Sequence, residues 1–276
     1  MTAFVNNVKT AVLLGALFAL LVGVGSYWGA NGMIVAGVVA VAMNFGAWFF
    51  SDRIAIAAMR GREVDERTAP DLHGLVRRLA DRAGLPMPRV YVCPQEAPNA
   101  FATGRSPRHA AVAVTRGALA LLEPAELEGV MAHELAHIKN RDTLTSTVAA
   151  TVAGIFSMLA YWMLWFGGGG RQGGNPLAVL GMVLLGALGA ALIKAMISRS
   201  REFVADANGA AIAGSPHGLA SALRKLEAYA KRIPLDQPNP AMNNLFIVEP
   251  FIGRTLTNLF ASHPPTEARI AALLGS

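Results

Sequence analysis

The stretch MAHELAHIKNRD, residues 131–142, decides which fold and which chemistry this chain can support. It sets two histidines, His133 and His137, four positions apart, with Glu134 directly after the first. On an α-helix, positions four apart lie on one face, so the two imidazoles can offer nitrogen atoms to a single metal ion. We therefore predict a helix here with a metal-binding face.

The pattern H-E-x-x-H is typical of zinc hydrolysis. Zinc lowers the pKa of its bound water towards about 7, and a glutamate beside the first ligand takes the proton as the water attacks a carbonyl. Glu134 is thus the predicted general base, and His133 and His137 are predicted ligands. The pattern fixes only three residue types. An amphipathic helix with two chance histidines is the alternative.

A catalytic zinc keeps three protein ligands and one open position, so a third ligand must come from elsewhere. One class of zinc protease places a histidine six residues past the second ligand, where this chain has Thr143, and that class is excluded. The other common third ligand is a glutamate on a later helix, and SREFVAD supplies Glu202. Asp206, one turn further along, can hydrogen-bond the second nitrogen of a ligand histidine and fix its tautomer. A solvated helix face is the alternative for both carboxylates.

The composition is that of a membrane protein. Of 276 residues, 53% are hydrophobic and only 15% are charged, which is too apolar for an ordinary soluble chain. A transmembrane helix needs about 20 apolar residues, and four segments meet that length: 10–28, 32–50, 144–166 and 176–197. A cleaved signal peptide is the alternative for the first, and buried helices of a soluble protein are the alternative for the others.

The positive residues predict the orientation of these spans. The loops on one side carry only Arg171, whereas the other side carries, among others, these positive residues: Lys9, Arg53, Arg60, Arg62, Lys139, Arg141, Arg199 and Arg201. Because cytoplasmic loops carry such an excess, both termini and the polar segments are predicted to face the cytoplasm, from a cell or inner membrane. The net charge of +6 is then explained by the membrane surface and not by nucleic acid. The single cysteine, Cys93, excludes an internal disulfide.

The polar segments predict an α+β fold that is mainly helical. Helices are predicted for DLHGLVRRLADRAGLP, EPAELEGVMAHELAHIKN, SREFVADANGAAIAG and PHGLASALRKLEAYAKR, and strands for RVYVCP and AAVAVT. The predicted organisation is a membrane hairpin over 1–52, a first catalytic part over 53–143, a second hairpin over 144–197 and a second catalytic part over 198–276. The second hairpin would return the chain to its starting side and so bring Glu202 beside the histidines.

Several separated pieces resemble the membrane zinc metalloproteases of the HtpX type, relatives of the CAAX prenyl endopeptidases. They are NAFATG (99–104), HELAHIKNRD (133–142), EFVAD (202–206) and HPPTEARI (263–270), in order with the four spans. The resemblance implies four transmembrane helices plus a cytoplasmic zincin-like metalloprotease domain with a small β-sheet. It also implies a gluzincin-type site with one zinc ion per chain, held by His133, His137 and Glu202, with Glu134 as general base.

The resemblance further implies how and on what the protein acts. Asn99, Ala100, Phe101 and Ala102 would form an edge strand that lines the cleft, where a peptide can pair through main-chain hydrogen bonds. A plain surface loop is the alternative for this stretch. The implied substrates are misfolded or damaged membrane proteins, cut at cytoplasmic segments in quality control and stress response. The bilayer is the other expected partner, nucleic acid is not expected, and the sequence does not predict an oligomeric state.

Three further polar residues are candidates around the site. His263 or Arg269, in SHPPTEARI, is suited to donate a hydrogen bond to the oxyanion of a tetrahedral intermediate. Arg269 is equally suited to pair with Asp206 or with another carboxylate and only hold the fold. Asn140 shares the helix face of the second histidine and either hydrogen-bonds near the site or ends the soluble part of the helix. TEARIAALL is predicted to be a helix capped by Thr266.

Two other classes of protein would also hold metal at a membrane. A catalytically silent scaffold, or a membrane protein that only binds zinc, has no need of Glu134 beside the ligands. A metal transporter usually holds its site near mid-bilayer, whereas these histidines flank the predicted spans. An integral membrane zinc endopeptidase is therefore the leading hypothesis.

Overall fold

The computed structural model describes residues 2–26, 29–145, 148, 199–232 and 264–275. In this part of the chain the fold is mainly helical with one small mixed sheet, as predicted. His263, the fourth predicted span and all but the first few residues of the third lie outside the described residues. The predicted boundaries of the domains at 144–197 therefore stay a prediction.

Two long helices begin the chain, α1 (Thr2–Gly25) and α2 (Gly29–Phe49). Each contains a stretch long and apolar enough to cross a bilayer, Phe4–Gly23 and Gly29–Phe49. Both helices begin earlier than the predicted spans 10–28 and 32–50. α1 continues towards the N-terminus through polar residues, and α2 includes residues 29–31, which lie between the predicted spans.

The sheet has the order β1-β2-β4-β3 and follows a short helix, α3 (Ser51–Ala58). Its strands are β1 (Arg62–Val64), β2 (Arg89–Cys93), β3 (Ala100–Gly104) and β4 (Ala110–Thr115). β2 and β4 run parallel, while β1 and β3 pair antiparallel with them on the two sides. RVYVCP and AAVAVT are strands as predicted, and NAFATG supplies the strand at one end of the sheet. β1 was not predicted because three residues with two charges give no alternation signal.

The remaining helices pack against this sheet and against one another. They are α4 (Pro70–Ala83), α5 (Arg116–Leu121), α6 (Pro124–Asn140), α7 (Arg199–Ala213), α8 (His217–Arg232) and α9 (Thr266–Leu274). The core between them includes Leu79, Val112, Leu135 and Leu223, all without solvent exposure. Thr266 is not a cap as predicted. It is the first helical residue, and Pro265, whose φ is fixed, stands at the cap position.

Candidate metal centre

α6 carries the HELAH residues into the centre of the fold, and its start is held firmly. Glu123 and Glu126 form a capping box at the first turn. The Glu126 carboxylate also accepts a hydrogen bond from Ser221 Oγ at 2.6 Å and pairs with Lys225 Nζ at 2.8 Å. Because both partners lie on α8, the position of α6 is fixed relative to that helix.

α7 meets α6 at a glycine. A Cβ atom on Gly209 would lie 2.8 Å from the Cα atom of His133, so only glycine allows the two backbones this close. The approach sets Glu202 and Asp206, which lie earlier on α7, beside the histidines. The glycine at position 209 thus allows α6 and α7, which are far apart in the sequence, to meet at the metal centre.

The imidazoles of His133 and His137 point their Nε2 atoms at each other, 3.1 Å apart. The Glu202 carboxylate lies 3.8 Å from Nε2 of His133 and 3.7 Å from Nε2 of His137. One ligand atom from each residue can be chosen so that all three lie within 4.8 Å of one another. The structure therefore brings together the three side chains that the sequence predicts as ligands, and their role as ligands stays a prediction.

One side of this cluster is closed by Asp206 and Arg269. Asp206 Oδ1 lies 2.9 Å from Nδ1 of His133. The Arg269 guanidinium binds Asp206 in a bidentate manner, with Nε 2.8 Å from Oδ2 and Nη2 2.7 Å from Oδ1. Burial raises the pKa of Asp206, but the hydrogen bonds from Arg269 and His133 outweigh it and lower the pKa to about 2. Arg269 thus pairs with Asp206, and its predicted role as an oxyanion donor stays a prediction.

The other side is closed by Asp142, which the sequence analysis missed. Asp142 Oδ2 lies 3.2 Å from Nδ1 of His137. Burial lowers the pKa of His137, but the hydrogen bond to Asp142 and the charges of Glu202 and Glu134 outweigh it and raise the pKa to about 9. The signal was present as a carboxylate just past the end of the HELAH helix, where Arg141 adopts a left-handed φ of 59° and turns the chain back.

Glu134 is 5% exposed and lies beside strand β3. Its carboxylate accepts the main-chain N–H of Ala102. Burial raises the pKa of Glu134, and the charge of Glu202 adds to this, whereas the two histidines and the Ala102 N–H oppose it. A buried carboxylate with a raised pKa next to a metal-ligand cluster is the usual environment of a general base.

The other predicted residues fall into two groups. The Asn140 side-chain oxygen accepts a hydrogen bond from Asn208 of α7 at 3.3 Å, and Asn140 is the last residue of α6. The predicted edge segment is β3, at the end of the sheet, with Asn99 just before it. All five β3 residues are buried, so the plain surface loop is excluded. Its role in substrate binding stays a prediction.

Comparison with known proteins identifies the family. Residues 66–276 match the model of peptidase family M48. The chain belongs to peptidase family M48. It is 54% identical to a Protease HtpX homolog of Nostoc punctiforme over 98% of this chain and 96% of that protein. The identity is 52% with a homolog of Desulfatibacillum aliphaticivorans, over 98% and 90%, and 50% with one of Thermococcus kodakarensis, over 96% and 94%.

The fold has a solved counterpart. The crystal structure of S. mikatae Ste24p matches this M48 peptidase with a TM-score of 0.50 and 17% identity, over 98% of this chain and 66% of that one. At that identity the match concerns the fold alone. Family membership makes the chain a metalloprotease, and its relatives together with α1 and α2 indicate a membrane protein.

The residues of this M48 peptidase fit the metal cofactor that its family implies. Nδ1 of His133 and Nδ1 of His137 each lie beside a carboxylate, which favours a proton on Nδ1 and leaves Nε2 as the metal-facing nitrogen when the imidazole is neutral. Two Nε2 lone pairs, 3.1 Å apart, and a carboxylate then face one point. The Arg269 guanidinium also lies here, with Nη2 3.5 Å from Nε2 of His133 and Nη1 3.7 Å from the Glu202 carboxylate. Two nitrogens and one carboxylate oxygen form a donor set found in catalytic zinc sites.

Proposed function

We propose that this M48 peptidase is an integral membrane zinc endopeptidase that cuts misfolded or damaged membrane proteins at cytoplasmic segments. One observation carries the proposal: two imidazole Nε2 atoms and the Glu202 carboxylate converge beside a buried Glu134 at the edge of the sheet. A role in membrane-protein quality control and stress response follows from that activity and from the position of the site near the membrane helices.

His133, His137 and Glu202 would hold the metal. Zinc is the proposed ion because it favours mixed nitrogen and oxygen ligands and keeps an open position in catalytic sites. When bound, it would supply a Lewis acid that polarises a peptide carbonyl and makes water acidic enough to attack it near neutral pH. Asp206 and Asp142, which lie 2.9 and 3.2 Å from the two Nδ1 atoms, would orient the imidazoles.

Glu134 would move the proton. Its carboxylate takes a proton from the attacking water and returns it to the amine that leaves when the peptide bond breaks. Its raised pKa suits both steps, because a base works best when its pKa approaches the operating pH. The N–H of Ala102 holds the carboxylate at the edge of β3, where a peptide would lie.

The main-chain geometry of β3 supports the proposed substrate binding. Asn99 and the odd-numbered residues of β3 bond towards β4, since the Asn99 carbonyl accepts from the N–H of Thr115 at 2.9 Å. Alternate residues face the opposite way. Accordingly, the Ala102 N–H points at Glu134 and the Gly104 carbonyl accepts from Thr143 Oγ1 at 3.0 Å. A peptide that pairs with the outward groups of Ala100 and the carbonyl of Ala102 would be bound through its main chain, which favours broad specificity.

The proposed topology has four spans, with both termini and the active site in the cytoplasm of a multi-pass cell membrane protein. Two contacts support a site close to the membrane surface. Asn6, near the start of α1, bonds Asp142, and Arg105 of the catalytic part donates to the carbonyl of Phe49, the last residue of α2, at 3.1 Å. Both ends of the first hairpin therefore lie on the side of the metal centre. The excess of positive residues on that side supports the cytoplasmic assignment.

The decisive experiment uses the full chain, purified in detergent and assayed on casein as an unfolded substrate. Cleavage should require zinc and stop on addition of a chelator. Glu134→Gln should keep its zinc but lose at least about a hundredfold in cleavage rate. Glu128→Gln is the matched control, because Glu128 lies on the same helix and bonds only the exposed Arg82 among the contacts that the structure gives it.

Three results would contradict the proposal. Undiminished cleavage by Glu134→Gln would remove the base, and a silent chain with bound zinc would favour a scaffold. If metal analysis of the purified protein finds a different ion, the proposal that the ion is zinc is wrong. A tag placed after Arg171 tests the topology separately, since it should be accessible only from outside the cell.

A further inference from the structure

One polar contact joins the first membrane helix to the metal centre. Asn6 lies within a stretch long and apolar enough to cross a bilayer, yet it is 2% exposed. Its Nδ2 atom donates to Asp142 Oδ1 at 2.8 Å. Its Oδ1 atom accepts from Arg201 Nη1 at 3.2 Å. Since the other oxygen of Asp142 lies 3.2 Å from Nδ1 of His137, a chain of contacts runs from α1 to a predicted ligand.

Neighbouring polar groups hold α1 at one register against residues 142–145. Thr10 Oγ1 lies 3.1 Å from Thr145 Oγ1, and both hydroxyls reach the Asn6 carbonyl, at 3.0 and 3.1 Å. All three side chains are buried. Buried polar groups are costly unless they are hydrogen-bonded, so this face of α1 is built for one docking position and not for general contact with lipid.

We propose that Asn6 is a positioning residue for the metal centre. It holds Asp142 so that this carboxylate orients His137, and it thereby makes the first membrane helix a structural part of the site. The inference rests on the proposed function only in taking His137 as a zinc ligand. It adds that the N-terminal hairpin does more than anchor the enzyme.

The physical argument concerns how a carboxylate is oriented. Each oxygen of Asp142 has its own partner: Oδ1 bonds the Asn6 amide and Oδ2 faces His137. Without the amide, Arg201 Nη1 at 3.4 Å from Oδ1 is the remaining partner that the structure gives this oxygen. Its charge can then draw the carboxylate away from the imidazole. A misoriented imidazole binds metal less well, because partners of the ligands typically contribute about 10–100-fold to affinity.

The experiment measures the zinc dissociation constant of the full chain in detergent, by competition with a fluorescent chelator. Asn6→Ala should weaken zinc binding about 5–10-fold, less than loss of Asp142 itself. Asn44→Ala is the control: its Nδ2 donates to the Leu14 carbonyl at 2.9 Å within the same hairpin. It removes a hydrogen bond between the two membrane helices that involves no residue of the metal centre, and it should leave zinc affinity unchanged. The visible spectrum of the cobalt-substituted protein should shift for Asn6→Ala only.

A double-variant cycle separates positioning from general destabilisation. If Asn6 acts through Asp142, Asn6→Ala should weaken zinc binding little further in an Asp142→Asn background. Should Asn6→Ala fold poorly, Asn6→Asp keeps the size of the side chain, removes the donor and faces Asp142 with a like charge, so it should weaken binding at least as much. Equal losses of zinc affinity in Asn6→Ala and Asn44→Ala would overturn the inference. So would losses from Asn6→Ala and Asp142→Asn that add fully in the double variant.

Failure of this inference is distinguishable from failure of the proposed function. Wild-type protein that binds zinc and cleaves casein, with an Asn6→Ala variant of equal zinc affinity, would refute the positioning role alone. Wild-type protein without bound zinc would refute both.

Discussion

The two histidines of the metal centre are supported in the same way but by different parts of the molecule. Each Nδ1 faces a carboxylate, at 2.9 Å for His133 and 3.2 Å for His137. The Asp206 carboxylate is paired with a buried arginine from the catalytic helices, whereas Asp142 bonds an amide from a membrane helix and lies 3.4 Å from Arg201 Nη1. The first support is part of the folded core, and the second depends on how the chain sits against its membrane hairpin.

The largest expected effect is on stability and comes from the core side. Arg269 is 1% exposed and binds Asp206 through two nitrogens. Arg269→Met removes the cationic partner of the buried Asp206 carboxylate, and breaking a buried ion pair typically costs about 3–5 kcal/mol. The free energy of unfolding, measured with denaturant in the presence of a chelator, should fall by that amount. The chelator removes any contribution from bound metal.

An exposed ion pair provides the control for that measurement. Arg82→Met removes a guanidinium whose side chain is 50% exposed and pairs with Glu128 at 3.0 Å. Such pairs contribute about 0–1 kcal/mol. The double variant Asp206→Leu with Arg269→Met should recover much of the stability, because replacing both members of a buried pair is often neutral. Similar losses for Arg269→Met and Arg82→Met would mean that burial does not distinguish the two pairs.

The local parts of the site were predictable from sequence, and the long-range contacts were not. His133, Glu134 and His137 follow from one helical spacing, and Glu202 follows from the need for a third ligand near a returning chain. Asp142 was missed because its role depends on a turn after α6 and on Asn6, which is 136 positions away. A polar residue near the start of an apolar segment is usually read as a membrane-boundary residue, and nothing in the sequence pairs it with a site.

The fold, like the site, was predictable from the sequence only where the signal is local. Helices with clear apolar periodicity, such as α4 and α8, were found, as were the two central strands. Hydropathy shows where contact with lipid is favourable, but a helix can continue beyond that stretch. The first predicted span therefore starts later than helix α1. β1 carries no periodic signal, since Arg62 and Glu63 are both exposed. It forms only because β2 offers an edge to pair with.

The next effect is on metal affinity and comes from the membrane side. Asp142→Asn keeps the shape of the side chain but weakens its hold on the Nδ1 proton of His137. Zinc affinity should fall about 10–100-fold, while the loss in unfolding free energy stays well below that of Arg269→Met. Chelator competition and denaturation of the same preparations measure both quantities. If Asp142→Asn instead unfolds the protein as readily as Arg269→Met, the contrast between the two supports is wrong.

The smallest effect is a difference in proton count when zinc binds. In the metal-free protein the pKa of His137 is raised to about 9, so this imidazole is protonated at pH 7.5. A zinc ligand must be neutral, so binding displaces its proton, and zinc affinity should rise with pH up to about 9. Titration calorimetry in buffers of different ionisation enthalpy should count about one proton released from His137. Asp142→Asn removes a cause of the raised pKa and should release measurably less, whereas Glu128→Gln should match wild type. Equal proton release from all three proteins would mean that Asp142 does not control the protonation of His137, and the membrane-side support would then act by geometry alone.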